Sequence, residues 1–211
     1  MRFVFILYIF LFSNSACLAQ QPIKHSSVKI GNQVWMGENL AVKKFSNGDL
    51  IPHARTREEW IKAGEDCTPA WTYYEHNKDF AKRVGVLYNW FAVADPRGLA
   101  PKGWRIPNSN DFEVLASQLG GKELAGKKLK SDKDWFRDGV GTNSSRFNAI
   151  GGGSRDFEGY FYYIVRVGFW WTIDEYDDQN AWYYYIEYVD DAIKKYGAGK
   201  NMGMSVRCIK N

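Results

Sequence analysis

From Phe147 to the end of the chain no helical period of apolar residues can be found, and this constrains the fold more than any other feature. Residues 160–167, 168–173, 181–189 and 204–209 are instead aromatic and β-branched runs separated by Gly, Asp and Asn, the pattern of strands on a half-buried pleated surface. Two helices are expected upstream. The first opens at Thr56, which pairs with Glu59 in a capping box, and carries Trp60 and Ile61 to a stop at Gly64. The second follows Pro107: Asn108 caps it, Asp111 takes the third helical position, and Phe112, Leu115, Ala116 and Leu119 share one face before Gly120 and Gly121. Ahead of both, residues 28–35 (VKIGNQVW) alternate around Gly31-Asn32 as a short hairpin does. Helices in the first half and strands in the second, without βαβ alternation, predict the α+β class: two main helices and a small mixed or antiparallel sheet with long loops.

The 211 residues are 17% aromatic, with 9 Trp, 13 Tyr and 13 Phe. That is too much large apolar side chain for a disordered polypeptide, and the length fits a single domain, expected over residues 23–211. The net charge of +4 is small and scattered, so it supplies no footprint for nucleic acid, which is not expected as a partner.

Residues 3–12 (FVFILYIFLF) follow Met1 and Arg2 and lead into the small polar stretch 13–19. This is the order of a secretory signal peptide, expected over residues 1–19, with Cys17 and Ala19 at the positions where cleavage needs small side chains. The run is too short to span a bilayer and no later stretch is longer, so no transmembrane segment is expected in the mature chain. A second reading makes Cys17 an acylated lipoprotein terminus; Asn14, where an aliphatic residue is usual, places soluble export ahead of it. Either route ends in the periplasm, at the outer membrane or outside the cell. In such a compartment Cys67 and Cys208, the two cysteines left, are expected to form a disulfide, with two buried free thiols as the alternative.

Several strings resemble one family in order along nearly the whole mature chain. They are residues 28–36 (VKIGNQVWM) with Glu38-Asn39-Leu40, residues 87–93 (LYNWFAV), residues 98–107 (GLAPKGWRIP), Phe169-Trp170-Trp171 and Ser205-Val206-Arg207-Cys208. The family is the Fibrobacter succinogenes major paralogous domain. The resemblance implies an exported or lipid-anchored bacterial envelope protein. Through a pattern similar to formylglycine-generating enzymes and C-type lectins, it also implies a C-type-lectin-like fold in which the N- and C-terminal strands pair. Fold likeness does not carry activity: the extra reactive cysteines of the former and the calcium signatures of the latter are absent. In the family a Cys before the aromatic segment and the Cys of "VRC" are both common, which supports the Cys67–Cys208 bridge.

Motifs for chemistry are sparse. Residues 121–128 (GKELAGKK) fit a phosphate-binding loop except where Lys128 replaces the Ser or Thr that holds Mg²⁺, and they follow a helix instead of a strand, so a basic turn is expected. Gly151, Gly152 and Gly153 lack dinucleotide spacing and predict a sharp bend or a close approach of backbones. His25, His53 and His76 have no nucleophile or acidic orienter nearby in sequence. Asp156, Glu158, Asp174, Glu175, Asp177 and Asp178 lie among the aromatic strands, where a carboxylate-based glycoside hydrolase would need them. A structural calcium among these acids is disfavoured by the spacing, and no cofactor or metal is expected.

The strongest signal is the run at 182–189. Trp182, Tyr184, Ile186 and Tyr188 share one face; Tyr183, Tyr185, Glu187 and Val189 share the other. With the Ile186 face inside, Tyr183 and Tyr185 stand beside Glu187 on a surface suited to sugar rings or a partner chain. Burial of both faces by loops is the alternative. The expected binding residues are Tyr183, Tyr185, Glu187, Arg155 and Asp174. The expected function is a non-catalytic envelope binding domain for glycan or an envelope protein. A glycoside hydrolase and a structural envelope protein without soluble ligand are the alternatives.

Overall fold

The computed structural model describes residues 25–211; the expected signal segment 1–19, Cys17 and the domain start at residue 23 lie outside the described residues. A hairpin comes first, β1 (Ser27–Ile30) and β2 (Gln33–Met36), turned at Gly31 with a φ of +56° that suits glycine. There follow α1 (Arg57–Glu65), β3 (Trp71–Thr72), a 3-10 turn at Tyr74–His76, α2 (Lys78–Val84), β4 (Leu87–Tyr88), α3 (Trp90–Val93), β5 (Trp104–Arg105), α4 (Ser109–Gln118) and α5 (Lys122–Leu129). The remainder is strand: β6 (Gly152–Arg155), β7 (Phe161–Ile164), β8 (Val167–Glu175), β9 (Asn180–Glu187), β10 (Ile193–Gly199) and β11 (Ile209–Lys210).

Both expected helices form with their caps. Thr56 Oγ1 accepts the Glu59 N–H at 3.1 Å while the Glu59 carboxylate takes the Thr56 N–H at 3.2 Å, and Asn108 and Asp111 do the same for α4. Gly64 lies inside α1 instead of ending it. The expected basic turn after α4 is mostly helix, because Ala125 and Leu129 have a core to enter.

The strand pairs are antiparallel and fall into small sheets. One has the order β1-β2-β11-β5, so the final strand lies between the opening hairpin and β5, with Ile209 opposite both Trp35 and Arg105. The N- and C-terminal strands therefore pair. Another has the order β10-β9-β8, and β3-β4 and β6-β7 are two-stranded. The result is a mixed α and β architecture of several small antiparallel sheets and few helices.

The β10-β9-β8 sheet separates two apolar clusters. Trp170, Tyr184 and Ile186 pack with Trp35, Phe112, Leu115 and Phe147; Phe169 and Trp171 pack with Met36, Trp71, Tyr88 and Val206. Trp170 and Trp171 point to opposite sides and both are fully buried. Each large side chain so placed contributes about 1.5–3 kcal/mol, which makes this sheet the spine of the fold. Close backbone approach explains the glycine triplet. A Cβ on Gly151 would lie 2.6 Å from the Val165 carbonyl carbon, and one on Gly153 would lie 2.5 Å from the Tyr162 oxygen.

A buried polar clip joins distant parts of the chain. Asn39 Oδ1 accepts from Trp170 Nε1 at 2.9 Å and from Arg207 Nε and Nη2 at 3.1 and 2.6 Å. Asn39 Nδ2 donates to the Val84 carbonyl at 2.9 Å and to Ser205 Oγ at 3.2 Å. Arg207 is wholly buried, donates also to the Phe147 carbonyl and lies over the Phe147 ring, and burial pushes its guanidinium down to about 9.

The expected Cys67–Cys208 disulfide is not formed, and the correction follows from where each thiol sits. Cys208 is completely buried among Met36, Tyr88 and Val206, whereas Cys67 is exposed just beyond α1; both are free. Burial pushes the Cys208 thiol up to about 12.

Candidate functional site

Alternation along β8, β9 and β10 places Phe169, Trp171, Tyr183, Tyr185, Lys194 and Tyr196 on one side of their sheet, because Tyr185 pairs with Phe169 and Lys194 while Tyr183 pairs with Trp171 and Tyr196. Packing decides which rings stay inside. Trp171 and Phe169 are buried, Tyr183 and Tyr185 are half-buried against them, and Tyr196 is 64% exposed. Neighbouring β7 adds Tyr162 and Tyr163, 43% and 54% exposed.

The rings form a continuous chain. Tyr162 to Tyr163 is 5.8 Å between centroids, Tyr163 to Phe169 6.1 Å, Phe169 to Tyr183 5.8 Å, Phe169 to Tyr185 6.2 Å, and Tyr183 to Tyr196 6.4 Å. These spacings are those of tilted and offset aromatic pairs, which brace one another and so present a firm surface. At one end Lys194 Nζ lies 5.7 Å from the Tyr185 ring and bonds Glu187 at 2.7 Å and also Asp190. Hydrogen bonds donated to Asp190 and Glu187 raise the Lys194 ammonium above its ordinary range, so it stays charged. Burial, with Tyr185 and Tyr196 beside it, pushes the Tyr183 phenol up to about 12, which keeps it a neutral hydrogen-bonding group. The arrangement is an aromatic shelf with a charged end: it can stack on flat apolar faces and hydrogen-bond their edges.

Of the five expected binding residues the structure brings Tyr183, Tyr185 and Glu187 together and places two elsewhere. Arg155 is wholly buried, its guanidinium 4.9 and 4.8 Å from the Trp60 and Phe161 rings, donating to the Thr56, Gly159 and Ala54 carbonyls at 2.9, 3.1 and 3.4 Å. It ties β6 to the start of α1 and offers nothing to a ligand. Asp174 accepts the Ser109 N–H at 2.6 Å at the start of α4, on the Tyr184 side of the sheet, since Tyr184 OH donates to the Ser109 carbonyl. Tyr162, Tyr163, Lys194 and Tyr196 went unnoticed in the sequence. Parity within one strand is visible there, but the pairing that adds Lys194 and Tyr196 from β10, and the turn that brings β7 beside β8, are not.

Three of the other acids have local partners for their carboxylates, whereas among the described residues Glu158 and Asp178 accept only at their backbone carbonyls, from Arg57 and Lys200. Asp156 holds the Tyr160 N–H at 2.8 Å, Glu175 takes Lys200 Nζ at 2.9 Å, and Asp177 holds the Gln179 and Asn180 N–H groups, each at 2.8 Å. Among the described residues no group of three or more His, Cys, Asp or Glu is placed to hold a metal ion. His53 stacks on Trp71 at 3.9 Å and accepts from Arg55 Nε at 3.2 Å. Among the described residues no helix is long and apolar enough to cross a membrane.

Fold and surface together define a mixed α and β domain whose own sequence strings build its interior and whose one broad aromatic face is left open. The chain belongs to the Fibrobacter succinogenes major domain family, whose model matches residues 28–210. It is also similar to a β-glucanase of Acetivibrio thermocellus, 25% identical over 202 residues that cover 92% of this chain and 50% of the glucanase. The chain thus spans half the length of that curated relative. No solved structure matches it.

Proposed function

We propose that this is an exported, non-catalytic binding domain of the bacterial envelope that engages a glycan or another envelope protein through the aromatic shelf. The continuous run of rings from Tyr162 to Tyr196, open on one side and braced by buried Phe169 and Trp171 on the other, carries this reading. Rings of this kind stack on sugar faces and anchor protein partners at little cost in side-chain entropy. The leader at residues 1–19, with or without acylation at Cys17, supports an envelope location. Pairing of β2 with β11 supports a C-type-lectin-like fold. A glycan array and a pull-down from envelope extract test the function. Binding abolished by Tyr183→Ala combined with Tyr185→Ala is the expected result; a ligand held equally by the double variant overturns it, and absence of any ligand favours a structural envelope protein.

The second reading, a carboxylate glycoside hydrolase, has the similarity to the β-glucanase in its favour. Release of reducing ends from β-glucan by the purified chain is its test. The local engagement of Asp156, Asp174, Glu175 and Asp177 leads us to expect no release.

A further inference from the structure

A second recess, apart from the aromatic shelf, opens between the end of α2, the loop at 131–134 and the β7–β8 turn. Its volume is about 200 Å³, with Val84, Ile150, Ile164 and Val165 on the floor and Lys82, Arg83, Lys133 and Asp134 at the rim. Asp134 is already matched by Arg83 at 3.0 Å, and Lys82 by Asp79 at 3.3 Å. Lys133 makes no ion pair among the described residues. The Phe136 N–H, next along this loop, donates to the Val165 carbonyl at 2.8 Å. The guanidiniums of Arg137 and Arg166 lie 5.1 and 4.3 Å from the Phe136 ring, again without an ion pair among the described residues. The recess itself is lined by Lys82, Arg83 and Lys133 against Asp134, so its rim carries a positive excess that attracts an anion, with Lys133 the cation left without a carboxylate partner among the described residues.

The backbone here is strained. Asp134, Asn148 and Val165 line the recess at φ values of +65°, +56° and +57°, a region hostile to a β-branched residue. Val165 is held there because its N–H donates to the Gly151 carbonyl at 2.7 Å, where glycine alone leaves room. Strain maintained by its surroundings concentrates at ligand sites. The volume is below the roughly 300–1,000 Å³ of sites for drug-sized molecules, and suits one six-membered ring.

We infer that this recess binds a small carboxylate-bearing ring of the size and chemistry of a single hexuronate, its body on the Ile164 and Val165 floor and its carboxylate toward Lys133. The test is an NMR titration of the isotope-labelled chain with glucuronic acid and with glucose. Glucuronate is expected to move the amide signals of Asn148, Gly151 and Val165, and glucose to bind at least about tenfold more weakly. Lys133→Glu, an exposed substitution, should weaken glucuronate by about tenfold or more, the worth of one charge-assisted contact, while Tyr185→Ala leaves it unchanged. Glucose binding equally, indifference to Lys133→Glu, or no movement of those amides overturns the inference. Loss on Tyr185→Ala also overturns it by moving the ligand to the shelf.

Discussion

Asn39 does more for this protein than its size indicates. One buried amide oxygen receives an indole N–H and two guanidinium N–H groups, and all three lose their partner together if it is removed. Asn39→Ala is expected to cost about 3 kcal/mol or more, read from the urea midpoint; a loss near that of a surface substitution would show that the clip is dispensable. Glu38-Asn39-Leu40, Phe169-Trp170-Trp171 and Ser205-Val206-Arg207-Cys208, strings that carried the family resemblance, meet at this clip. What they build is an interior. The cysteines differ in the same spirit. Cys67 should react with iodoacetamide in the folded protein at pH 8, whereas Cys208, buried and pushed up to about 12, should react only after denaturation. In a chain lacking residues 1–19, and so Cys17, intact mass before and after unfolding distinguishes one adduct from two, and zero adducts in both states would restore the disulfide.

At the scale of elements, α5 shows propensity giving way to packing. Gly126 sits mid-helix, where alanine ordinarily stabilises by about 1 kcal/mol. Here an added Cβ would lie 2.5 and 2.6 Å from the carbonyl oxygens of Asp191 and Ala192, and overpacking against backbone costs typically about 1–3 kcal/mol. Gly126→Ala is therefore expected to lower the thermal midpoint; a rise would mean that the loop at 190–192 yields. Elements with a local chemical signature were legible in the sequence: Thr56 with Glu59, Asn108 with Asp111, Gly31 between alternating residues. Helices α2 and α3 and strand β10 were not, because they are short or weakly patterned and owe their form to neighbours. The same divide runs through the shelf. Tyr183, Tyr185 and Glu187 follow from alternation within β9, but Tyr196 joins them only through the pairing of β10 with β9, and Tyr163 only through the turn from β7 into β8 that sets its ring against Phe169. Arg155 looked like a ligand group for want of any sign that three carbonyls would enclose it.

Across the whole molecule, stability should respond to mild acid. Burial, with Arg55 and Lys43 near one of them, lowers His53 and His76 below the ordinary imidazole range. Below that range the unfolded chain binds protons at both positions that the folded chain refuses, so stability present at pH 7 is lost as the pH falls toward 5. The thermal midpoint should drop over that interval, and His53→Phe, which keeps a ring on Trp71, should flatten the slope; an unchanged slope would remove His53 from the account. Connectivity sets a further global property. β11 is an inner strand of its sheet, and Arg207 just before it reaches back to Asn39. A nascent polypeptide cannot complete that sheet until Ile209 and Lys210 have emerged from the ribosome. Until then β2 and β5 have no strand between them, so closure of this sheet is a late event in synthesis.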